Sequence, residues 1–341
     1  MKLSTPRWWY VRQGAPRRVT RALLRPLSWI WAAVTARRIA RTVPVDAGLP
    51  VICVGNLTVG GTGKTPVVRE LLRLLTGQGL AAHGLSRGYG GRLKGPLRVD
   101  PAVHSAADVG DEPLMLARDY PLWISPDRPA GARAARAGGA QVLVMDDGHQ
   151  NPSLMKALSL VVVDGETRNG EWPFGDGAVF PAGPMREPLA AGLARTDAVV
   201  MLLPADMDAP DPDLLALFAG GPVLIARLEP AAAPPSGPQV GFAGIGKPWK
   251  VERALEAAGC DLRDFVRFPD HHPYSEADLA LLEDVAGRYG AGLVTTEKDW
   301  VRLPPEWRTK AAVWPVRARF EDEGAVLALL GTCTSALVPQ G

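Results

Sequence analysis

The stretch VICVGNLTVGGTGKTPVV, residues 51–68, holds the residues best suited to chemistry. A short apolar run leads into a glycine-rich turn that ends in Lys64 and Thr65, and a helical pattern follows. That arrangement cradles nucleotide phosphates, because backbone N–H groups and the positive end of a helix face the anion. Thr58, Val59, Gly60, Gly61, Thr62, Gly63, Lys64 and Thr65 are the candidate nucleotide-binding residues, with Lys64 reaching the β/γ-phosphates and the Thr65 hydroxyl binding Mg²⁺. Pro66 suits the first helical turn, where its missing N–H costs little. The usual G-x-x-x-x-G-K-[ST] pattern would place glycine at position 58, where this chain has Thr58; Gly60, Gly61 and Gly63 still supply a flexible cradle. In QVLVMDDGHQN a second apolar run ends in Asp146 and Asp147. At the C-terminal edge of a parallel sheet such carboxylates hold or orient Mg²⁺; the plainer alternative is a pair of aspartates opening a turn at Gly148.

Further polar clusters lie in LSRGYGG (85–91), VGDEP (109–113), FPAGPMREP (180–188), FPDHHPY (268–274) and TTEKDW near residue 297. Arg87 and Arg186 are suited to bidentate phosphate binding or to surface ion pairs. Asp111 could take a proton from an attacking hydroxyl or cap a helix through PLMLARDY. His271 or His272 could orient that carboxylate, and TTEKDW could close the site or form a solvated charge run. Spacing alone leaves these alternatives open.

The elements that must position these groups alternate in type. PVICVG, AAHGLS, QVLVMD, LSLVVVD, DAVVMLL and PVLIARL read as strands with helical sequence between several of them, which implies a mainly parallel sheet covered on both faces. In PVVRELLRLLTGQG, Val68, Leu71, Leu72 and Leu75 follow the i, i+3, i+4, i+7 spacing of a buried helix face. The proline-dense EPAAAPPSGP at 229–238 reads as a connector to a second alternating unit. That unit contains QVGFAGIG and AGLVTTEKD as strands and PWKVERALEAAG and SEADLALLEDVAGRYG as helices. AAVWPVRARFED is expected to form one further strand pairing back with PVLIARLEP, followed by a closing helix over EGAVLALLG.

A chain of 341 residues that is 47% hydrophobic can bury a substantial core and suggests two domains. The net charge of +2 hides an asymmetry: residues 1–42 contain ten Lys or Arg and no Asp or Glu, so the remainder is acidic on balance. Within that segment LSWIWAAVTA is too short to span a bilayer, which takes roughly 20 apolar residues, and arginines follow it where a secretory signal would need a small-residue cleavage site. Arginines beside tryptophans suit a helix lying at an anionic membrane surface, the alternative being a helix packed on the body with a solvated basic face. No nucleic-acid motif accompanies it. Cys53, Cys260 and Cys333 are far apart, without metal-ligand spacing, as in a reducing cytoplasm.

Taken in order, GNLTVGGTGKTP, LSRGYGG, GDEP, DDG followed by Gln150, FPAGPMREP, GFAGIGKP, DHH and TEKD closely resemble the tetraacyldisaccharide 4′-kinase family of lipid A biosynthesis, from about residue 50 to 300. The basic, Trp-bearing beginning resembles the family's membrane-facing helix, and Thr58 resembles the family's own version of the loop. The resemblance implies ATP- and Mg²⁺-dependent phosphorylation of the 4′-hydroxyl of an acylated glucosamine disaccharide 1-phosphate. It implies a P-loop domain and a second, smaller α/β domain joined by a two-stranded linker, with the site between them. The corresponding divisions are 1–42, 43–228 and 229–341. By the same resemblance Asp111 is the general base working with His271, Lys64 and Thr65 bind phosphate and Mg²⁺, and Asp146 and Asp147 are the acidic pair near the metal. Arg128 or Arg186 is then expected to stabilise the phosphates, with Arg87, Gln150 and Glu187 as further substrate contacts. The chain reads DDGHQN where the family's common pattern is DDGLQH, so Asn151 replaces a histidine and no role is carried over for it. The expected setting is a monomer on the cytoplasmic face of the bacterial inner membrane, binding anionic lipid and no nucleic acid. A membrane-tethered NTPase switch or a nucleotide sensor is the alternative.

Overall fold

The computed structural model describes residues 6–12 and 18–338; the remainder of the basic segment 1–42 lies outside the described residues. Helix α1 (Arg18–Arg41) leads to strand β1 (Val51–Gly55), the phosphate-type loop and α2 (Lys64–Gly77). Then come β2 (Ala82–Ser86), β3 (Leu97–Arg98), α3 (Ala106–Val109), α4 (Asp111–Leu116), β4 (Leu122–Ile124), α5 (Arg128–Ala137) and β5 (Val142–Asp146). The first half closes with β6 (Leu158–Asp164), α6 (Leu189–Leu193), β7 (Ala198–Pro204), α7 (Pro212–Ala216) and β8 (Val223–Pro230). The rest comprises β9 (Gln239–Ala243), α8 (Pro248–Ala257), β10 (Leu262–Arg267), α9 (Glu276–Tyr289), β11 (Gly292–Thr295), α10 (Glu297–Trp300), β12 (Ala311–Val313), β13 (Val316–Phe320) and α11 (Glu323–Thr334).

Nine strands form one sheet in the order β13-β8-β7-β6-β1-β5-β2-β4-β3, parallel except at its two edges, and four form a second, parallel sheet, β10-β9-β11-β12. The central strands β1, β2 and β5 are buried along their whole length, as the apolar runs of β1 and β5 imply; β2 buries His83 and Ser86 as well. Val68, Leu71, Leu72 and Leu75 of α2 are fully buried against them, so the periodic face read from the sequence is the one that seats the helix. Because β1 and β5 are neighbours, with Val54 beside Asp146, the glycine-rich loop and the acidic turn leave the same sheet edge side by side.

The stretch AAVWPVRARFED is two strands in different sheets, not one. β12 pairs with β11 of the small sheet, and β13 pairs antiparallel with β8 of the large one. Pro315 stands between them; its lack of an N–H and its restriction of Trp314 make it a breakpoint. The second crossing returns the chain to the first sheet, so Ala318, Phe320, Val326 and Leu330 of β13 and α11 join the core around Ile52 and Leu72 instead of closing the smaller unit. The smaller unit has its own core around Val240, Phe242, Leu282 and Trp307. Strand β10, LRDFVR, escapes detection in the sequence because it is a largely exposed, charge-bearing edge.

Helix α1 packs with its polar face inward. Arg21, Ser28 and Thr35, seven residues apart, are buried, while Val19, Leu23, Leu27, Ile30 and Val34 are exposed. The inward contacts are hydrogen bonds: Arg21 pairs with Asp176, and Ser28 Oγ donates to the Val179 carbonyl at 2.7 Å and accepts from the Ala182 N–H at 3.1 Å. No helix among the described residues is long and apolar enough to cross a membrane.

Gly55 ends β1 where the chain passes His149: a Cβ there would meet the His149 Cβ at 2.4 Å and its backbone nitrogen at 2.9 Å, whereas one on Gly61 meets nothing within 4 Å. Overpacking of this kind costs about 1–3 kcal/mol. Gly55→Ala is therefore expected to lower Tm by about 2–10 °C, and Gly61→Ala by about 1 °C or less, in thermal unfolding followed by circular dichroism.

Candidate active site

The loop from Asn56 to Gly63 is held by its surroundings more than by itself. The Val59 N–H donates to the Pro184 carbonyl at 2.7 Å, the Arg186 N–H to Leu57 at 2.8 Å, and the Arg186 Nε to the Thr58 carbonyl at 2.9 Å. Tyr10 adds a hydroxyl bond to the Val59 carbonyl at 2.8 Å. Gly63 takes φ of 78° as the N-cap of α2, a left-handed turn open to glycine, and so delivers Lys64 and the half-buried Thr65 into the first helical turn. Lys64 Nζ lies 3.4 Å from Asp147 Oδ1, and Arg186 donates to the same oxygen at 2.7 Å. Against the cost of burial, these two cations hold the Asp147 carboxyl well below the usual aspartate range.

Asp146 is opposite in character. Its Oδ1 is buried without a hydrogen-bond partner, and burial together with the charges of Glu112 and Asp147 pushes its pKa up to about 7 despite Lys64 and Arg128. An unsatisfied buried carboxylate oxygen at the end of β5, with the Thr65 hydroxyl at the start of α2, supplies hard oxygen donors of the kind Mg²⁺ takes. Among the described residues no group of three or more His, Cys, Asp or Glu is arranged to hold a metal; Mg²⁺ ordinarily takes one or two carboxylates plus substrate phosphates.

The second sheet supplies the other wall. Gly246, in the loop after β9, sits close enough to the cradle that a Cβ on it would lie 3.8 Å from the Gly61 nitrogen and 3.6 Å from Asp270 Oδ2. Asp299, fully buried, anchors this wall by accepting from the Gly244 N–H at 2.7 Å, the Tyr274 hydroxyl at 2.6 Å and Arg302 at 2.8 Å. The turn after β10 presents His271, whose Nδ1 lies 2.8 Å from Asp111 Oδ2 at the start of α4. Asp111 pays for its burial through that bond and through the Lys298 and Arg302 cations, which bring its pKa down to about 2. Lys298 bonds Glu112 at 3.0 Å and approaches His271 Nε2 at 3.4 Å. Among the described residues Asp147 and His271 are the only non-glycines with positive φ, 51° and 56°. Such conformations persist where the surroundings impose them, and both fall in this cleft.

The remaining sequence-predicted residues divide by environment. Arg87 is exposed and lines a groove of about 560 Å³ with Tyr89, Lys94 and Pro126. Arg128 is 2% exposed, with its guanidinium donating to the Ser125 and Asp146 carbonyls at 3.3 and 3.0 Å, so it braces the acidic turn. Gln150 bridges the Asn56 carbonyl and Glu187 at 2.9 and 3.0 Å, and Glu187 also receives two bonds from Arg195 at 2.8 and 2.7 Å. These three support the cradle from behind. His149 is a core residue between Ser159 Oγ and the Gly192 carbonyl, and burial lowers its pKa to about 4. Asn151 accepts from the Ser153 N–H and hydroxyl, turning the chain out of the acidic loop. Sequence reasoning does not single out Glu112, Lys298, Asp299 or Arg302 as site residues; the one signal for the first three is membership of the GDEP and TEKD stretches, and Arg302 lies outside both.

A parallel sheet with a strand–loop–helix phosphate cradle, faced across a cleft by a second α/β unit, defines a P-loop nucleotide-binding α/β protein. Comparison with known proteins makes this specific. The model of the tetraacyldisaccharide-1-P 4′-kinase family matches residues 20–334, and the chain belongs to that family. It is 72% identical to the tetraacyldisaccharide 4′-kinase of Caulobacter sp. (strain K31), over 97% of this chain and 98% of that protein. It is 46% identical to that of Rhodospirillum rubrum, over 96% and 97% respectively. Among solved structures it resembles LpxK from Aquifex aeolicus in complex with ATP, with a TM-score of 0.71 and 25% identity, covering 91% of this chain and 98% of that one.

The raised pKa of Asp146 has a signed consequence. In the ligand-free chain its protonated form favours folding, a contribution fully present below the ordinary aspartate range and lost as pH rises through about 7. Asp146→Asn, which never ionises, is therefore expected to gain Tm relative to the parent at pH 8 by at least about 2 °C, the gain shrinking at pH 5. Differential scanning calorimetry at both pH values checks this; a constant difference would contradict it.

Proposed function

We propose that the chain transfers the γ-phosphoryl group of ATP to the 4′-hydroxyl of an acylated glucosamine disaccharide 1-phosphate, the step in lipid A biosynthesis for which its family is named. The observation that carries the proposal is the 2.8 Å Asp111–His271 bond, formed across the cleft beside the phosphate cradle in a member of this family. In the proposed mechanism the loop N–H groups and Lys64 bind the β- and γ-phosphates, and Arg186 keeps the loop and Asp147 in register. Thr65, Asp146 and Asp147 would hold Mg²⁺, which supplies charge neutralisation on the phosphates. The acceptor oxygen forms a bond to the γ-phosphorus as the bond to the bridging oxygen of ADP breaks, and the hydroxyl proton passes to Asp111. A loose transition state demands alignment more than a strong base, which accommodates a carboxylate whose pKa is about 2.

In this reading the phosphate-binding domain begins near residue 43 and the second near 229, with β13 and α11 returning to the first. Both walls come from one chain, so a monomer suffices. The outward apolar face of α1 is assigned to an anionic lipid surface on the cytoplasmic side of the inner membrane, with the helix arginines meeting headgroups.

An assay with γ-³²P-labelled ATP tests the reading: label on the glycolipid supports it, label released only to water makes the protein an NTPase, and neither makes it a sensor. Asp111→Ala is expected to lower kcat by about 10²–10⁴ while the KM for ATP stays within about twofold. Trp29 and Ile30 are 69% and 60% exposed, so the double variant Trp29→Ser, Ile30→Ser is expected to sediment less with anionic vesicles at unchanged Tm. Unchanged sedimentation would detach α1 from lipid binding.

A further inference from the structure

His271 can place its single neutral proton on either nitrogen, and the groups around it favour different choices. Nδ1 lies 2.8 Å from Asp111 Oδ2, an acceptor, whereas Nε2 lies 3.8 Å from Asp270 Oδ1 and 3.4 Å from Lys298 Nζ. A carboxylate faces each end of the ring, the one at Nδ1 within hydrogen-bond reach and the one at Nε2 about an ångström farther. Lys298 adds to the bias toward Nδ1–H. An ammonium has three donors and no acceptor, so it can approach Nε2 only when that nitrogen offers its lone pair. Lys298 itself is locked in the charged form: against the cost of burial, Glu112, Asp111 and Asp270 raise its pKa, and its bond to Glu112 at 3.0 Å fixes where it points. Of the other neighbours, Arg302 addresses Asp111 Oδ2 at 3.5 Å and Tyr89 packs edge-on against the ring.

We propose that Lys298 is a positioning residue that holds His271 as the Nδ1–H tautomer, so that the imidazole donates to Asp111 and keeps one carboxylate oxygen turned toward the incoming hydroxyl. Asp111 Oδ1 accepts from the Glu112 N–H at 2.9 Å, so both oxygens of the proton acceptor are oriented before substrate arrives. Without the cation, Nε2–H facing Asp270 becomes competitive, and the Asp111 oxygen loses its donor for part of the time. This inference rests on the proposed role of the Asp111–His271 pair, but the protonation state can be read without any turnover.

The test is long-range ¹H–¹⁵N correlation on the full chain labelled at its five histidines, at neutral to mildly alkaline pH, with His271→Asn identifying the His271 signals. The expected parent spectrum has a protonated Nδ1 and a bare Nε2. Lys298→Met should shift population to Nε2–H and lower kcat by roughly 10- to 10²-fold, with the KM for ATP within about twofold, less than the ~10⁴ lost when a triad histidine is trapped in the wrong tautomer. Lys298→Arg, which keeps a donor-only cation, should restore the Nδ1–H form and most of the turnover. An Nε2–H parent, or a Lys298→Met variant that keeps Nδ1–H, overturns the inference whatever the rate. Absence of glycolipid phosphorylation by the parent would refute the proposed function while leaving the spectra to decide the tautomer.

Discussion

The organising constraint is electrostatic: a carboxylate buried at the start of α4 is tolerable only because the second sheet brings an imidazole and two cations to it. Asp111 sits on the first sheet's side and His271, Lys298 and Arg302 on the other, so the same contacts that solve a burial problem also close the cleft. An unpaired buried charge is expensive and a paired one contributes little net stability, which makes such a junction a device for registration more than for strength. The backbone route that permits it is the antiparallel β8–β13 pair, through which the chain leaves the large sheet and returns to it.

On the opposite flank a second set of charges performs the same task. Lys247 reaches Asp164 and Glu171 at 3.0 and 2.9 Å, Lys250 reaches Asp164 and Glu166 at 2.8 and 3.0 Å, and Arg253 pairs with Glu166. Arg69 bonds Glu297 nearer the cleft at 2.8 Å. The two units thus have their own apolar cores and many ionic contacts between them, while Val301 and Trp300 of the second unit also pack into the core of the first.

The phosphate loop is tied to α1 through one intermediary. The segment 179–187 receives hydrogen bonds from Ser28 and from Trp31 Nε1, the latter at 3.0 Å on the Arg186 carbonyl. The same segment pairs with Leu57, Thr58 and Val59 and sends the Arg186 side chain to Asp147. A helix whose apolar face points outward is therefore three contacts away from the lysine of the cradle.

Local chemistry made much of this readable beforehand. The unbroken apolar runs of β1, β5, β6 and β7, the 3.6-residue period of α2 and the loop's glycines each act over a few neighbours, so the parallel sheet, the cradle and the acidic turn follow from sequence alone. What lay beyond it depends on contacts between distant residues. That Arg128 and Glu187 are buried and Gln150 half-buried, each hydrogen-bonded within the protein, is not visible in sequence, because burial is a property of the assembled layers. The split of AAVWPVRARFED between two sheets, the meeting of His271 with Asp111 while His272 meets Asp278, and the arrival of Lys298 at His271 Nε2 are set by tertiary packing. No short-range preference of the chain encodes which carboxylate, 160 residues away, a given imidazole will meet.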